Sequence, residues 1–165
     1  MNLAVVVYTN ETNLPILKLF LNYFFKNNPN FTLPIYVVAN KFTKSDLPHQ
    51  DKVTYLPGNV EFQHNGGHFS ETLRNVLPQI NEDYIFYFCE DYVSRDPIDI
   101  DALARLLDMI KDENIDMFTF GSTYAINHGY PVFNTDYEKY GFDKGIFYTM
   151  DLNYQHAYTV QPCIW

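Results

Sequence analysis

"YIFYFCEDYVSRDPID" (84–99) runs six apolar residues straight into two adjacent carboxylates, Glu90 and Asp91. A short, unbroken apolar run reads as a strand buried on both faces. Two like charges about 4 Å apart repel by roughly 4 kcal/mol at an effective dielectric near 20. The pair therefore calls for water or for a cation. A solvated turn capping the next element satisfies the first condition. A hard divalent ion such as Mg²⁺ or Mn²⁺, which takes carboxylate oxygens, satisfies the second.

The segments around this strand repeat its logic. "LAVVVY" (3–8) and "PIYVVAN" (34–40) read as buried strands, with "KVTYLP" (52–57) a weaker one and "DMFTFG" (116–121) closing the series. Between them lie helical patterns. "PILKLFLNYFFKN" (15–27) is apolar at 16, 17, 20, 21 and 24, with Asn13 as a cap and Pro15 in the first turn. "SETLRNVLPQI" (70–80) carries Leu73, Val76, Leu77 and Ile80 on one face, with Ser70 as its cap and Pro78 bending or ending it. "DIDALARLLDMIKDEN" (99–114) keeps Ile100, Leu103, Leu106, Leu107 and Ile110 in helical register, with acids early and Lys111 late. Alternating strands and helices predict an α/β fold, a mostly parallel open sheet with helices on both faces. Residues 1–165 are expected to form a single domain. Residues 121–150, where periodicity fades into Tyr, Phe, Gly and Asn, are expected to be an irregular insertion.

Composition narrows the function. The chain has 165 residues, is 47% hydrophobic and 18% aromatic, and carries a net charge of −9. Such a charge repels a phosphate backbone and disfavours polymer nucleic acid as a partner. A small phosphorylated ligand remains open, provided a cation or a cradle of N–H groups neutralises it. The two cysteines, Cys89 and Cys163, have no zinc spacing and read as small buried side chains in a reducing compartment. The N-terminus has no basic n-region and its apolar run is short for a signal peptide; no stretch reaches transmembrane length. The expected location is the cytoplasm. The ending "AYTVQPCIW" is apolar up to Trp165, which suggests a fragment of a longer chain.

Open α/β sheets bind ligands beyond the carboxyl ends of their strands. The first strand delivers Tyr8, Thr9 and Asn10 to that edge, the second delivers Asn40, and the strand at 84–89 delivers Glu90, Asp91 and Tyr92. A second constellation is "HNGGHFSETLRN" (64–75). Gly66 and Gly67 precede a helix and either let backbone N–H groups approach a phosphate or form a flexible turn. His64 and His68 lie in a loop and carry no helical metal-ligand geometry. No Walker sequence and no nucleophile elbow occurs.

The order of strand, capped helix, strand, Gly-Gly loop, helix and "DYIFYFCEDYVSRDPID" (83–99) resembles glycosyltransferases of the GT-A type, in particular small bacterial and viral glycosyltransferase-like proteins. "YTVQPCIW" (158–165) is similar to the segment that enters the acceptor side in such proteins. The resemblance spans nearly the whole chain on short motifs. It implies a Rossmann-like GT-A nucleotide-diphospho-sugar transferase architecture and a divalent metal, Mn²⁺ or Mg²⁺. It implies a nucleoside held by Thr9, Asn10, Glu11 and Asn40, with Glu90 as a neighbouring acid of the motif and Asp91 as the metal-binding acid; Gly66 and Gly67 join them as nucleotide-sugar-binding candidates from the loop reading above. Cys89 stands where the first acid of the family's Asp-x-Asp motif belongs. The catalytic base falls by position to Asp136 or Asp151. Tyr124, Tyr130, Tyr148, Gln161 and Trp165 fall on the acceptor side; rings there either stack on sugars or pack the core.

The expected activity is transfer of a sugar from a nucleotide-diphosphate sugar to the hydroxyl of a glycan or other acceptor. A non-catalytic nucleotide- or glycan-binding relative is the alternative. A nucleotidyltransferase is disfavoured because no Gly-rich, Lys- or Arg-bearing loop follows the first strand.

Overall fold

The computed structural model describes residues 2–58, 68–91, 96–115, 118–119, 130–131, 137–142, 148–149 and 163–164. The chain divides into two compact units, Asn2–Ile98 and Asp99–Trp165, the latter joined by Met1.

The first unit is built on four parallel strands, β1 (Leu3–Tyr8), β2 (Ile35–Ala39), β3 (Thr54–Pro57) and β4 (Tyr84–Cys89). β1 pairs with β2 on one side and β4 on the other, and β2 pairs with β3, giving the order β3-β2-β1-β4. Leu3 to Val7 and Ile85 to Phe88 are all buried. Parallel strands covered on both faces require such continuous apolar runs rather than alternation. The chain steps outward from β1 to β2 to β3, then returns to the far side of β1 as β4. The strand order therefore reverses between β1 and β4.

Helix α1 (Leu14–Asn27) makes the β1–β2 crossover, with Pro15 in its first turn. Leu17, Phe20, Leu21, Phe24 and Phe25 are buried, the i, i+3, i+4, i+7 pattern of a helix resting on a sheet. Each such side chain contributes about 1.5–3 kcal/mol when fully buried. Phe20 lies with its ring centroid 6.2 Å from that of Phe88, on the face shared by Val7 and Phe88. Ile16, expected on the apolar stripe, is 45% exposed, because the buried arc is centred further round, towards Phe25. Asn28 ends the helix: its N–H and its side-chain amide both donate to the Phe24 carbonyl, and its Oδ1 accepts from Ile98 N at 2.7 Å.

Helix α2 (His68–Val76) starts before the expected cap at Ser70, which lies inside it. A 3-10 turn over Leu77–Gln79 replaces its last part, since Pro78 has no N–H to continue an α-helix. Thr72, Leu73 and Val76 are buried. Thr72 reaches Tyr8, whose side chain alternates to the face opposite Val7. Helices therefore cover both faces of this sheet.

In the second unit, α3 (Ile100–Asp112) begins at Asp99, whose carboxylate accepts from Ala102 N at 2.9 Å. It buries Leu103, Leu106, Leu107, Met109 and Ile110. Asn114, at φ 52, turns the chain out of the helix in the left-handed conformation that asparagine tolerates. β5 (Phe118–Thr119) pairs antiparallel with β8 (Cys163–Ile164), and β6 (Tyr130–Pro131) pairs antiparallel with β7 (Tyr148–Thr149). A 3-10 turn spans Tyr137–Tyr140, where the Tyr140 hydroxyl donates to Asp112 at 2.7 Å. Within residues 121–150, the segment expected to be irregular, the described part is β6, this turn with the two residues after it, and β7.

Candidate functional site

The reversal between β1 and β4 marks where an open α/β sheet leaves a crevice at its carboxyl edge. Because all four strands are parallel, the residues that follow them share that edge. Tyr8 is in register with Cys89 and with Val38, so Thr9, Asn10 and Glu11 emerge beside Glu90 and Asp91 on one flank. Asn40 and Lys41 emerge on the other flank, and Gly58 follows β3 beyond them.

The side chains at this edge are held by specific contacts. Thr9 is buried, and its N–H donates to the Val38 carbonyl at 3.0 Å, continuing the β1–β2 ladder past Tyr8. Asn10 is exposed, and its Oδ1 accepts from Thr12 N at 2.9 Å, capping a 3-10 turn over Glu11–Asn13. Glu11 forms an ion pair with Lys41 at 2.9 Å, tying the loop after β1 to the end of β2. Both partners are partly exposed, so the pair adds little stability and acts mainly by fixing the two loops.

The two carboxylates that end β4 have separate fates. Glu90 is 7% exposed and accepts a hydrogen bond from the Asn13 side chain. Asn13 immediately precedes α1 and makes no side-chain capping bond within it, contrary to its expected role. The Glu90 carboxylate thereby anchors the start of α1, where an anion is favoured by the helix dipole. Asp91 is exposed. Glu90 thus fills a structural position, and Asp91 is the acid of the pair that faces solvent. Among the described residues no group of three or more His, Cys, Asp or Glu side chains gathers as a metal site.

Tyr8 and Cys89 end β1 and β4 side by side at this edge. Burial raises the Tyr8 phenol above its ordinary pKa; the neighbouring Thr72 hydroxyl opposes this, and the charges of Glu11 and Glu90 add to it. Burial likewise raises the Cys89 thiol, whose Sγ lies 3.7 Å from the Tyr87 hydroxyl. A thiol held protonated is a poor nucleophile and a poor metal ligand.

Gly58 is where β2, β3 and α2 close on one another. Its N–H donates to the Ala39 carbonyl at 2.9 Å. A Cβ there would lie 2.1 Å from Asn40 Oδ1 and 2.6 Å from Thr72 Cγ2, so only glycine fits.

Of the residues singled out from the sequence, Thr9, Asn10, Glu11, Asn40, Glu90 and Asp91 come to one edge. Gly66, Gly67, Tyr124, Asp136, Asp151, Gln161 and Trp165 lie outside the described residues; Tyr130 and Tyr148 are described only as backbone in β6 and β7. Asn13, Lys41 and Thr72 also belong to the edge. Lys41 follows from extending the strand-end rule by one position. Thr72 gives no sequence signal, being one polar residue within an amphipathic helix.

No protein-family model matches the chain, and no curated protein matches it. Two crystal structures of LgtC match it in part. One is of an active-site mutant, and the other is of the galactosyltransferase in complex with donor and acceptor sugar analogs. Each is 16% identical, with a TM-score of 0.41, and the match covers 56% of this chain. The matched region spans 39% of LgtC's own length. Likeness at this level describes a partial correspondence of backbone. No helix among the described residues is long and apolar enough to cross a membrane.

Proposed function

We propose that the crevice between the ends of β1 and β4 binds a nucleotide-diphosphate sugar and that the protein transfers the sugar to an acceptor hydroxyl. The observation that carries this reading is the strand order β3-β2-β1-β4, with polar residues following β1, β2 and β4 on one edge. Thr9, Asn10 and Asn40 would meet the nucleoside. Asp91 would meet the diphosphate through a divalent ion. One exposed carboxylate suits an ion such as Mg²⁺ or Mn²⁺, which takes one or two protein oxygens and completes its shell with phosphate and water. Such an ion supplies Lewis acidity to the leaving diphosphate. The chain's own contribution is to hold the donor: Glu90 and Asn13 fix the end of β4 against α1, and Glu11 and Lys41 fix the loops that flank the nucleoside.

A second reading, nucleotide binding without turnover, draws on Cys89 and Glu90. The first holds a protonated thiol where the motif would carry an acid, and the second is committed to Asn13. Incubation with a panel of nucleotide sugars and Mn²⁺, followed by measurement of released nucleoside diphosphate, separates the two. Release well above the enzyme-free rate supports transfer. Binding without release supports the second reading, and neither binding nor release removes both.

A further inference from the structure

The candidate crevice lies at the carboxyl edge of the four-stranded sheet. The opposite, amino edge carries an open groove of about 460 Å³. It forms where the chain passes from α1 into β2: residues 29–35 line it, together with Phe25 of α1 and Lys52, which lies two residues before β3. Small-ligand sites usually enclose roughly 300–1,000 Å³, and this volume falls within that range.

The wall of the groove is fixed by its own contacts. Pro29 and Pro34 each set their own φ. The Phe31 N–H donates to the Asn28 carbonyl at 3.2 Å, and the Pro34 carbonyl accepts from Val5 N at 2.8 Å. The Phe31 ring stands edge-on to that of Phe24, with centroids 4.9 Å apart. A wall already in place spares a ligand the cost of ordering it.

Three polar side chains of the groove are exposed and open to a ligand. Among the described residues, Asn30 and Thr32 make no side-chain hydrogen bond and Lys52 makes no ion pair. The Lys52 ammonium lies 5.0 Å from the Phe25 ring centroid, a contact that keeps the cation at the groove and leaves its N–H donors available. No acid lines the groove, although the chain carries a net charge of −9. A small anion is therefore attracted here against the overall sign of the protein. The body of that anion follows from the rest of the lining. The Asn30 amide and the Thr32 hydroxyl suit several hydroxyl groups, and the half-buried Phe31 ring suits the C–H face of a sugar. A purely apolar acid would leave the amide and the hydroxyl unused.

We propose that this groove is a second binding site, for a hexuronic acid residue of a saccharide, with its carboxylate on Lys52, its hydroxyls on Asn30 and Thr32, and its C–H face on Phe31. The site shares no residue with the crevice and does not depend on the nucleotide-sugar reading.

The test is NMR titration of the isotope-labelled protein with methyl glucuronide, methyl glucoside and benzoate. Methyl glucuronide should shift the amide resonances of Asn30 to Leu33 and of Lys52, and should bind at least about threefold more tightly than either other probe. Lys52→Gln should abolish the preference for the glucuronide over the glucoside. Because both sugars meet the same folded protein, that ratio reports the charge and not the stability of the variant. Phe31→Leu, which keeps an apolar side chain and removes the ring, should weaken both sugars alike. No shift at Asn30 to Leu33 in the wild type would overturn the proposal. So would benzoate bound as tightly as the glucuronide, a preference retained in Lys52→Gln, or full sugar affinity in Phe31→Leu. Each of these outcomes leaves the nucleotide reading untouched.

Discussion

Asn13, at the start of α1, donates its side-chain amide to Glu90, at the end of β4, so one hydrogen bond joins the first crossover helix to the strand that closes the candidate crevice. The carboxylate is buried, and among the described residues the Asn13 amide is the hydrogen-bond donor it meets. Asn13→Ala should therefore lower the unfolding free energy by about 1–3 kcal/mol, the cost of leaving a buried acceptor short of a donor. Asn13→Asp, which sets a second acid against the first, should lower it further. Urea denaturation with an unchanged m-value is the measurement; wild-type midpoints for both variants would show that the contact carries no stability.

Gly58 tests the junction of β2, β3 and α2. Gly58→Ala drives a methyl group into Asn40 and Thr72 and should destabilise the protein by roughly 1–3 kcal/mol. The shortest contact is with the end of the Asn40 side chain, so adding Asn40→Ala should recover part of the loss, while the Thr72 contact preserves the rest. Full stability in Gly58→Ala would mean that the three elements do not close as tightly as described.

Much of this first unit is legible in the sequence because parallel strands buried on both faces leave unbroken apolar runs, as in "LAVVVY" and "YIFYFC". Their polar ends follow by the same rule, which is why Thr9, Asn40 and Asp91 can be named together. What sequence leaves out is direction. Glu90 and Asp91 read as one acidic pair, yet successive residues leave a strand on opposite sides, and the first is taken by Asn13 while the second faces solvent. Asn13 reads as a helix cap because asparagine commonly serves there, but a long-range partner competes successfully for its amide. Thr72 shows nothing until α2 is folded over Tyr8.

In the second unit, the Tyr140 hydroxyl, and after it Lys139, hold the Asp112 carboxyl below its ordinary pKa. A carboxyl that titrates lower when folded contributes stability in full above its unfolded pKa and loses it as pH falls through its folded value. Tyr140→Phe should raise the Asp112 pKa, measured by NMR titration of the carboxyl carbon, and should shrink the acid-side fall in melting temperature. An unshifted titration would show that the phenol does not set it.

The central claim, a nucleotide diphosphate held at the end of β4 through a divalent ion on Asp91, is tested most directly by calorimetric titration of a nucleoside diphosphate. The comparison sets wild type against Asp91→Asn, each with and without Mn²⁺. The amide keeps the shape of the side chain and removes its charge. We expect Mn²⁺ to tighten binding to the wild type, and Asp91→Asn to lose that enhancement while melting at the wild-type temperature. Equal affinities in all four combinations would contradict the metal-bridged site, as would an Asp91→Asn protein that binds normally but melts early.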